Sequence, residues 1–94
     1  MNKYETIFII NPSVSEENVK ALIEKFTNLI NNSGSVEKVT EWGKKRLKYP
    51  IKKVNEGYYV LVDFESDPSA ITELERIYRI TDEIIKFIVV RKED

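Results

Sequence analysis

The chain opens on Tyr4-Glu5-Thr6-Ile7-Phe8-Ile9-Ile10, a run of β-branched and aromatic residues that predicts a strand over 4–10. Asn11-Pro12 stops it, because proline lacks an N–H and restricts the residue before it. The period then changes. Val19, Leu22, Ile23, Phe26, Leu29 and Ile30 recur at helical spacing and form one apolar stripe. Ser13 or Ser15 can cap this helix, and Ser13 with Glu16 has the capping-box spacing. Asn31-Asn32-Ser33-Gly34 ends it, with Gly34 able to take a positive φ.

A long second strand is predicted over 35–51. Gly43 inside it marks a bulge, and Pro50, which cannot donate to a ladder, places it at a sheet edge. The segment 52–57 reads as a turn and 58–64 as the third strand. Asp67 and Pro68 form a helix start, Ile71, Leu74, Ile77 and Tyr78 supply that helix's stripe, and 84–91 is the last strand. The order β-α-β-β-α-β predicts one α+β domain over 1–94 with a ferredoxin-like fold: a four-stranded antiparallel sheet with two helices on one face. The third strand should lie beside the first, leaving the second and fourth as edges.

Alternation along the strands divides their side chains between the two faces. Tyr4, Thr6, Phe8, Ile10, Val60, Val62, Phe64, Phe87 and Val89 fall on the helix-covered side. Ile7, Ile9, Tyr59, Leu61, Ile88 and Val90 fall on the open side, with Lys86 beside them. Such a face is too apolar to be left in water. It predicts a partner surface, unless the second strand curls over part of it or the alternation is displaced by one residue.

Composition narrows the function. The chain is 94 residues long, 41% hydrophobic and 33% charged, which is a globular rather than a disordered profile. It holds no cysteine and no histidine, which excludes disulfides, thiolate chemistry and the commonest general base and metal ligand. No apolar run is long enough to span a membrane, and the N-terminus lacks the layout of a signal peptide, so the expected location is cytoplasmic. The serines have no histidine to activate them, and the three glycines form no phosphate loop. Glu16-Glu17 and Asp82-Glu83 read as helix-turn and loop acids rather than as a catalytic pair. The expectation is therefore no enzyme, no cofactor, no metal, no membrane and no small-molecule substrate.

Net charge is −1, but its distribution is two-sided. From Lys38 to Lys53 there are seven basic residues against Glu41, and from Asp63 to Glu83 seven acidic residues against Arg76 and Arg79. Binding a polyanion requires a local basic patch, not a basic average. The run Trp42-Gly43-Lys44-Lys45-Arg46-Leu47-Lys48-Tyr49-Pro50-Ile51-Lys52-Lys53 interleaves aromatics with cations, as nucleic-acid surfaces do. Charges and a proline on an edge strand also prevent sheet-to-sheet aggregation, so both readings stand at this point. Gly57-Tyr58-Tyr59-Val60 is faintly similar to the aromatic strand of RNA-recognition motifs, although the first strand offers Ile7 and Ile9 where a second stacking ring is needed. An acylphosphatase-like domain of the same topology needs an arginine in the loop after the first strand, which here reads Asn11-Pro12-Ser13.

Over essentially its whole length the chain resembles the bacterial small-subunit ribosomal protein six family. The resemblance rests on Tyr4-Glu5, Asn11-Pro12, Val36-Glu37-Lys38-Val39, the segment from Trp42 to Lys53, Glu56-Gly57-Tyr58-Tyr59 and the closing Phe87-Ile88-Val89-Val90-Arg91. It implies the ferredoxin-like fold and a structural role in the small ribosomal subunit. It also implies binding to the central domain of small-subunit ribosomal RNA together with ribosomal protein eighteen of that subunit. On this resemblance the expected RNA contacts are Lys3, Lys53, Lys86, Arg91 and Lys92, converging where the first and last strands lie side by side. The expected protein-partner contacts are Trp42, Lys45, Arg46, Leu47 and Tyr49 on the second strand. Family members often carry an arginine near the start and two adjacent basic residues before the last strand; those positions here read Asn2 and Ile85-Lys86. The competing reading is an RNA-recognition-motif-like binder of single-stranded RNA.

Overall fold

In the computed structural model, which describes residues 1–51 and 53–92, the elements run β1 (Asn2–Ile10), α1 (Glu16–Ser33), β2 (Gly34–Ile51), β3 (Val54–Ser66), α2 (Pro68–Ile80) and β4 (Ile84–Arg91). The four strands form one antiparallel sheet in the order β2-β3-β1-β4, so β2 and β4 are the edges, as the proline and the charge pattern predict.

Helix starts follow local chemistry. Asn11 Oδ1 accepts from the Ser13 N–H at 3.0 Å and from the Ser13 hydroxyl at 2.8 Å, which removes Ser13 from capping duty. Ser15 caps α1 instead, its Oγ accepting from the Asn18 N–H at 3.3 Å, and Glu16 and Glu17 sit in the first turn, where the helix dipole favours acids. The predicted Ser13–Glu16 box is therefore not used. In α2, Pro68 fills the first position and Asp67 the cap position, although the Asp67 side chain makes no capping bond.

Gly34 departs from its expected role. Its φ of −168° is ordinary extended backbone, and it opens β2 directly. Glycine is needed there because a Cβ would stand 1.9 Å from the Glu65 carbonyl oxygen. The predicted turn over 52–57 also shrinks. β3 begins at Val54, and Lys53 takes φ 66°, while Lys52 lies outside the described residues.

The main core lies between the helices and the Tyr4, Thr6, Phe8, Ile10, Val60, Val62, Phe64 face of the sheet, all buried. Val19, Leu22, Ile23, Phe26 and Ile30 of α1 and Leu74 and Tyr78 of α2 complete it, with Phe87 and Val89 packed alongside. Its centre is aromatic: Tyr78 lies 5.4 Å from Phe8, 4.6 Å from Phe26 and 4.9 Å from Phe87 by ring centroids. Burying each ring contributes about 1.5–3 kcal/mol, and each well-oriented ring pair about 0.5–1.5 kcal/mol more. Two polar groups sit in this core and satisfy each other: the Tyr78 hydroxyl is 3.1 Å from Thr6 Oγ1, which donates to the Ile88 carbonyl at 2.9 Å.

The opposite face is partly covered by the chain itself. Ile9, assigned to the open side, is buried with Leu47 and Ile85 in a second small cluster, against which Ile51 and Tyr59 pack. Ile7 and Leu61 are half-buried, and Ile88 and Val90 remain exposed. The second strand thus curls over one end of this face, while Ile88 and Val90 stay uncovered at the other edge.

Candidate functional site

β2 departs from simple alternation wherever its register with β3 shifts: between Val36 and Lys38, between Glu41 and Gly43, and between Arg46 and Ile51. Gly43 takes φ 78°, a left-handed conformation that glycine adopts without a Cβ penalty. The predicted bulge is there, and it leaves Trp42 without an opposite residue on β3. The Trp42 ring stacks on Tyr59 at 6.3 Å and 28° between planes, and the Lys45 ammonium lies 4.8 Å over the Trp42 ring. Lys45 and Tyr59 thus both lie against the Trp42 ring, on the edge opposite the one that carries exposed Ile88 and Val90. Trp42 remains 43% exposed, enough ring surface for a partner to cover.

Beyond the pairing of Ile10 with Tyr58, β1 ends, and β2 and β3 continue as a two-stranded ribbon. Lys44, Lys45, Arg46 and Lys48 are exposed along it, and so is Tyr49, whose ring has the Lys48 ammonium 5.6 Å away. Leu47 differs from the other residues expected to meet a protein partner. It is only 8% exposed and points into the chain's own second cluster, so it supports that surface from beneath.

The expected RNA cations divide into separate groups rather than converging. Lys3, Arg91 and Lys92 meet at one end of the β1–β4 pair: the Lys92 N–H donates to the Lys3 carbonyl at 2.9 Å, and Arg91 donates to Asn2 Oδ1 at 3.2 Å. Lys86 pairs with Ile9 toward the other end of β4, about 17 Å away along the strand at about 3.3 Å per residue. Lys53 sits at the ribbon tip. Antiparallel pairing explains the separation: it brings the start of β1 to the end of β4, and so sends the start of β4 to the opposite end.

Lys92 is also not a free cation. Its ammonium pairs with Asp63, which reaches it from β3, and that carboxylate raises the Lys92 pKa above its ordinary value. Asp63 was a missed residue, since no sequence spacing connects 63 with 92. Tyr59 as the floor under Trp42 was missed for a related reason: which β2 residue lies against it depends on the bulge at Gly43. On the helix side of the ribbon's base, the Tyr58 hydroxyl donates to Glu41 Oε1 at 2.8 Å, and that bond, then burial, raises the Tyr58 pKa. Glu41, the one acid within the basic run, is thereby occupied.

Among the described residues, no group of three or more acidic side chains is placed to hold a metal ion, and no helix is long and apolar enough to cross a membrane.

The chain matches known proteins over nearly its whole length. Residues 3–91 match the family model described as Ribosomal protein S6. Among curated relatives, a protein of Clostridium novyi named small ribosomal subunit protein bS6 is 54% identical, with 99% of each chain covered. The bS6 protein of Caldanaerobacter subterraneus is 47% identical, with 100% of each covered. The crystal structure of 30S ribosomal protein S6 from Thermotoga maritima superposes with a TM-score of 0.93 at 39% identity, covering 97% of this chain and 87% of that one. An Arabidopsis thaliana protein at 17% identity and TM-score 0.58 shares the fold alone.

Proposed function

This chain belongs to the ribosomal protein S6 family, and we propose that, acting as one domain, it binds the central domain of small-subunit ribosomal RNA as a pair with ribosomal protein eighteen. Family membership makes it a structural, non-enzymatic constituent of the small ribosomal subunit, working in the cytoplasm with ribosomal RNA and ribosomal proteins as its partners.

The observation that carries the finer reading is the half-exposed Trp42 on edge strand β2, with the Tyr59 ring and the Lys45 ammonium packed against it. A half-exposed tryptophan backed by a ring and flanked by cations has the character of a protein-interface anchor. Arg46 and Tyr49 extend that surface along the ribbon, with Leu47 holding it from below. The RNA then meets Lys3, Arg91 and Lys92 at one end, Lys86 at the other and Lys53 at the ribbon tip. Each cation that pairs with a phosphate releases counterions, which makes binding salt-dependent. A net charge of −1 is compatible with this if the partner brings positive charge of its own. The reading as a single-strand binder of the RNA-recognition type is disfavoured because Trp42 already occupies one face of the Tyr59 ring.

The test is a titration of a central-domain RNA fragment across a salt series, with and without ribosomal protein eighteen. Tight, salt-sensitive binding only with both proteins present is the expected result. Equal binding to any short single strand, or none with the partner present, would overturn the proposal.

A further inference from the structure

The sheet face away from the helices carries a small core that the main core does not need. Ile9, Leu47 and Ile85 are all buried in it, and Leu47 and Ile85 arrive through local irregularities. Ile85 is the extra residue of a bulge in β4, between Ile84 opposite Ile10 and Lys86 opposite Ile9. Leu47 lies where β2 spends four residues, 47 to 50, against Asn55 alone, between the pairs Arg46–Glu56 and Ile51–Val54. Ile9 covers Gly57 so closely that a Cβ there would stand 2.2 Å from Ile9 Cγ2. Two departures from regular strand geometry and one close approach at a glycine thus serve one contact.

We propose that this cluster is a clamp that holds the basic ribbon against the sheet in its binding-ready orientation. Leu47, Ile85 and Gly57 are then positioning residues for the interface rather than contacts in it. The inference rests on the ribosomal reading above and deepens it. Among the described residues no third strand pairs with the ribbon from Lys45 to Ile51 and Val54 to Gly57, and an isolated two-stranded ribbon is marginally stable in water. Its exposed lysines Lys44, Lys45 and Lys48 repel one another and add nothing that would hold it in place. The clamp holds it by apolar contact. Because Lys86 follows Ile85 directly, one cluster fixes the ribbon cations relative to the β4 cation. Fixing them before binding removes an ordering cost that would otherwise fall on the affinity.

The test compares Leu47→Ala and Ile85→Ala with the wild-type chain by amide exchange, and by titration of the central-domain RNA with ribosomal protein eighteen present. The amides of Lys45 and Gly57 should exchange about tenfold faster or more, while those of Phe8 and Val62 keep their protection. RNA affinity should fall about tenfold with the salt slope unchanged, because the phosphate contacts remain but must be ordered on binding. Leu47→Met, which refills the volume, should restore both. Unchanged ribbon exchange, equal loosening of ribbon and core, or full affinity with a loosened ribbon would each overturn the proposal. If the wild-type pair fails to bind the RNA, the ribosomal reading falls, while exchange measured on the free protein still decides whether the cluster holds the ribbon.

Discussion

Replacing Tyr78 with Phe removes a single oxygen from the centre of the core. The Tyr78 side chain is 1% exposed among Phe8, Phe26 and Phe87, and its hydroxyl meets Thr6 Oγ1 at 3.1 Å. Thr6 gives its only proton to the Ile88 carbonyl, so Tyr78 must be the donor between the two hydroxyls. Tyr78→Phe therefore loses one neutral hydrogen bond and leaves Thr6 still donating, at a cost of about 1 kcal/mol. Thr6→Val is worse, about 2–3 kcal/mol, because it strands the Tyr78 proton in a dry core. The double variant strands nothing, so its loss should fall short of the sum of the singles by about 1 kcal/mol. Urea unfolding followed by circular dichroism reads this directly, since about 1 kcal/mol moves the midpoint by roughly 0.5–1 M at constant slope.

The same oxygen predicts a pH dependence. Burial raises the folded-state pKa of Tyr78 well above its ordinary 10.0, so the unfolded chain loses that proton first as pH rises. The Tyr78 contribution is therefore intact below about pH 10 and declines above it by up to about 1.4 kcal/mol per pH unit until the folded-state pKa is reached. Tyr58, also raised, acts in the same direction. Tyr78→Phe should flatten the alkaline decline, so its deficit relative to wild type shrinks above pH 10. Strictly additive single variants, or an alkaline slope identical with and without the Tyr78 hydroxyl, would refute the assigned network.

Trp42→Ala should lower partner-dependent RNA affinity by about tenfold or more while changing stability by less than about 1 kcal/mol, since the ring is half exposed; calorimetry and filter binding separate the two effects. Lys3→Ala and Lys86→Ala should each reduce the logarithmic salt slope by about 0.7–0.9, and Asp63→Asn, which frees Lys92, should strengthen RNA binding at low salt. Gly34→Ala should cost about 1–3 kcal/mol in thermal melts, because its Cβ meets the Glu65 carbonyl of a paired strand and not the end of a flexible side chain.

What the sequence determined by itself was what depends on local period and backbone chemistry. Alternation in 4–10 and 58–64, the helical stripe from Val19 to Ile30, Pro68 at a helix start, and Pro50 with the lysines on an edge are near-neighbour effects. They led to the element order, the strand order and the helix-covered face. The bulge at Gly43 was legible for the same reason, as a glycine inside a strand, whereas the left-handed conformation was expected at Gly34 and found at Gly43. Tertiary structure alone decided what depends on register. One residue of bulge in β4 turned Ile85 inward, and four residues against one in β2 buried Leu47, because each inserted residue shifts which face its successors present. The same register set Asp63 against Lys92 and Trp42 over Tyr59. The charges of the interface could be read along the chain, but their positions relative to one another follow from three-dimensional pairing that no local pattern encodes.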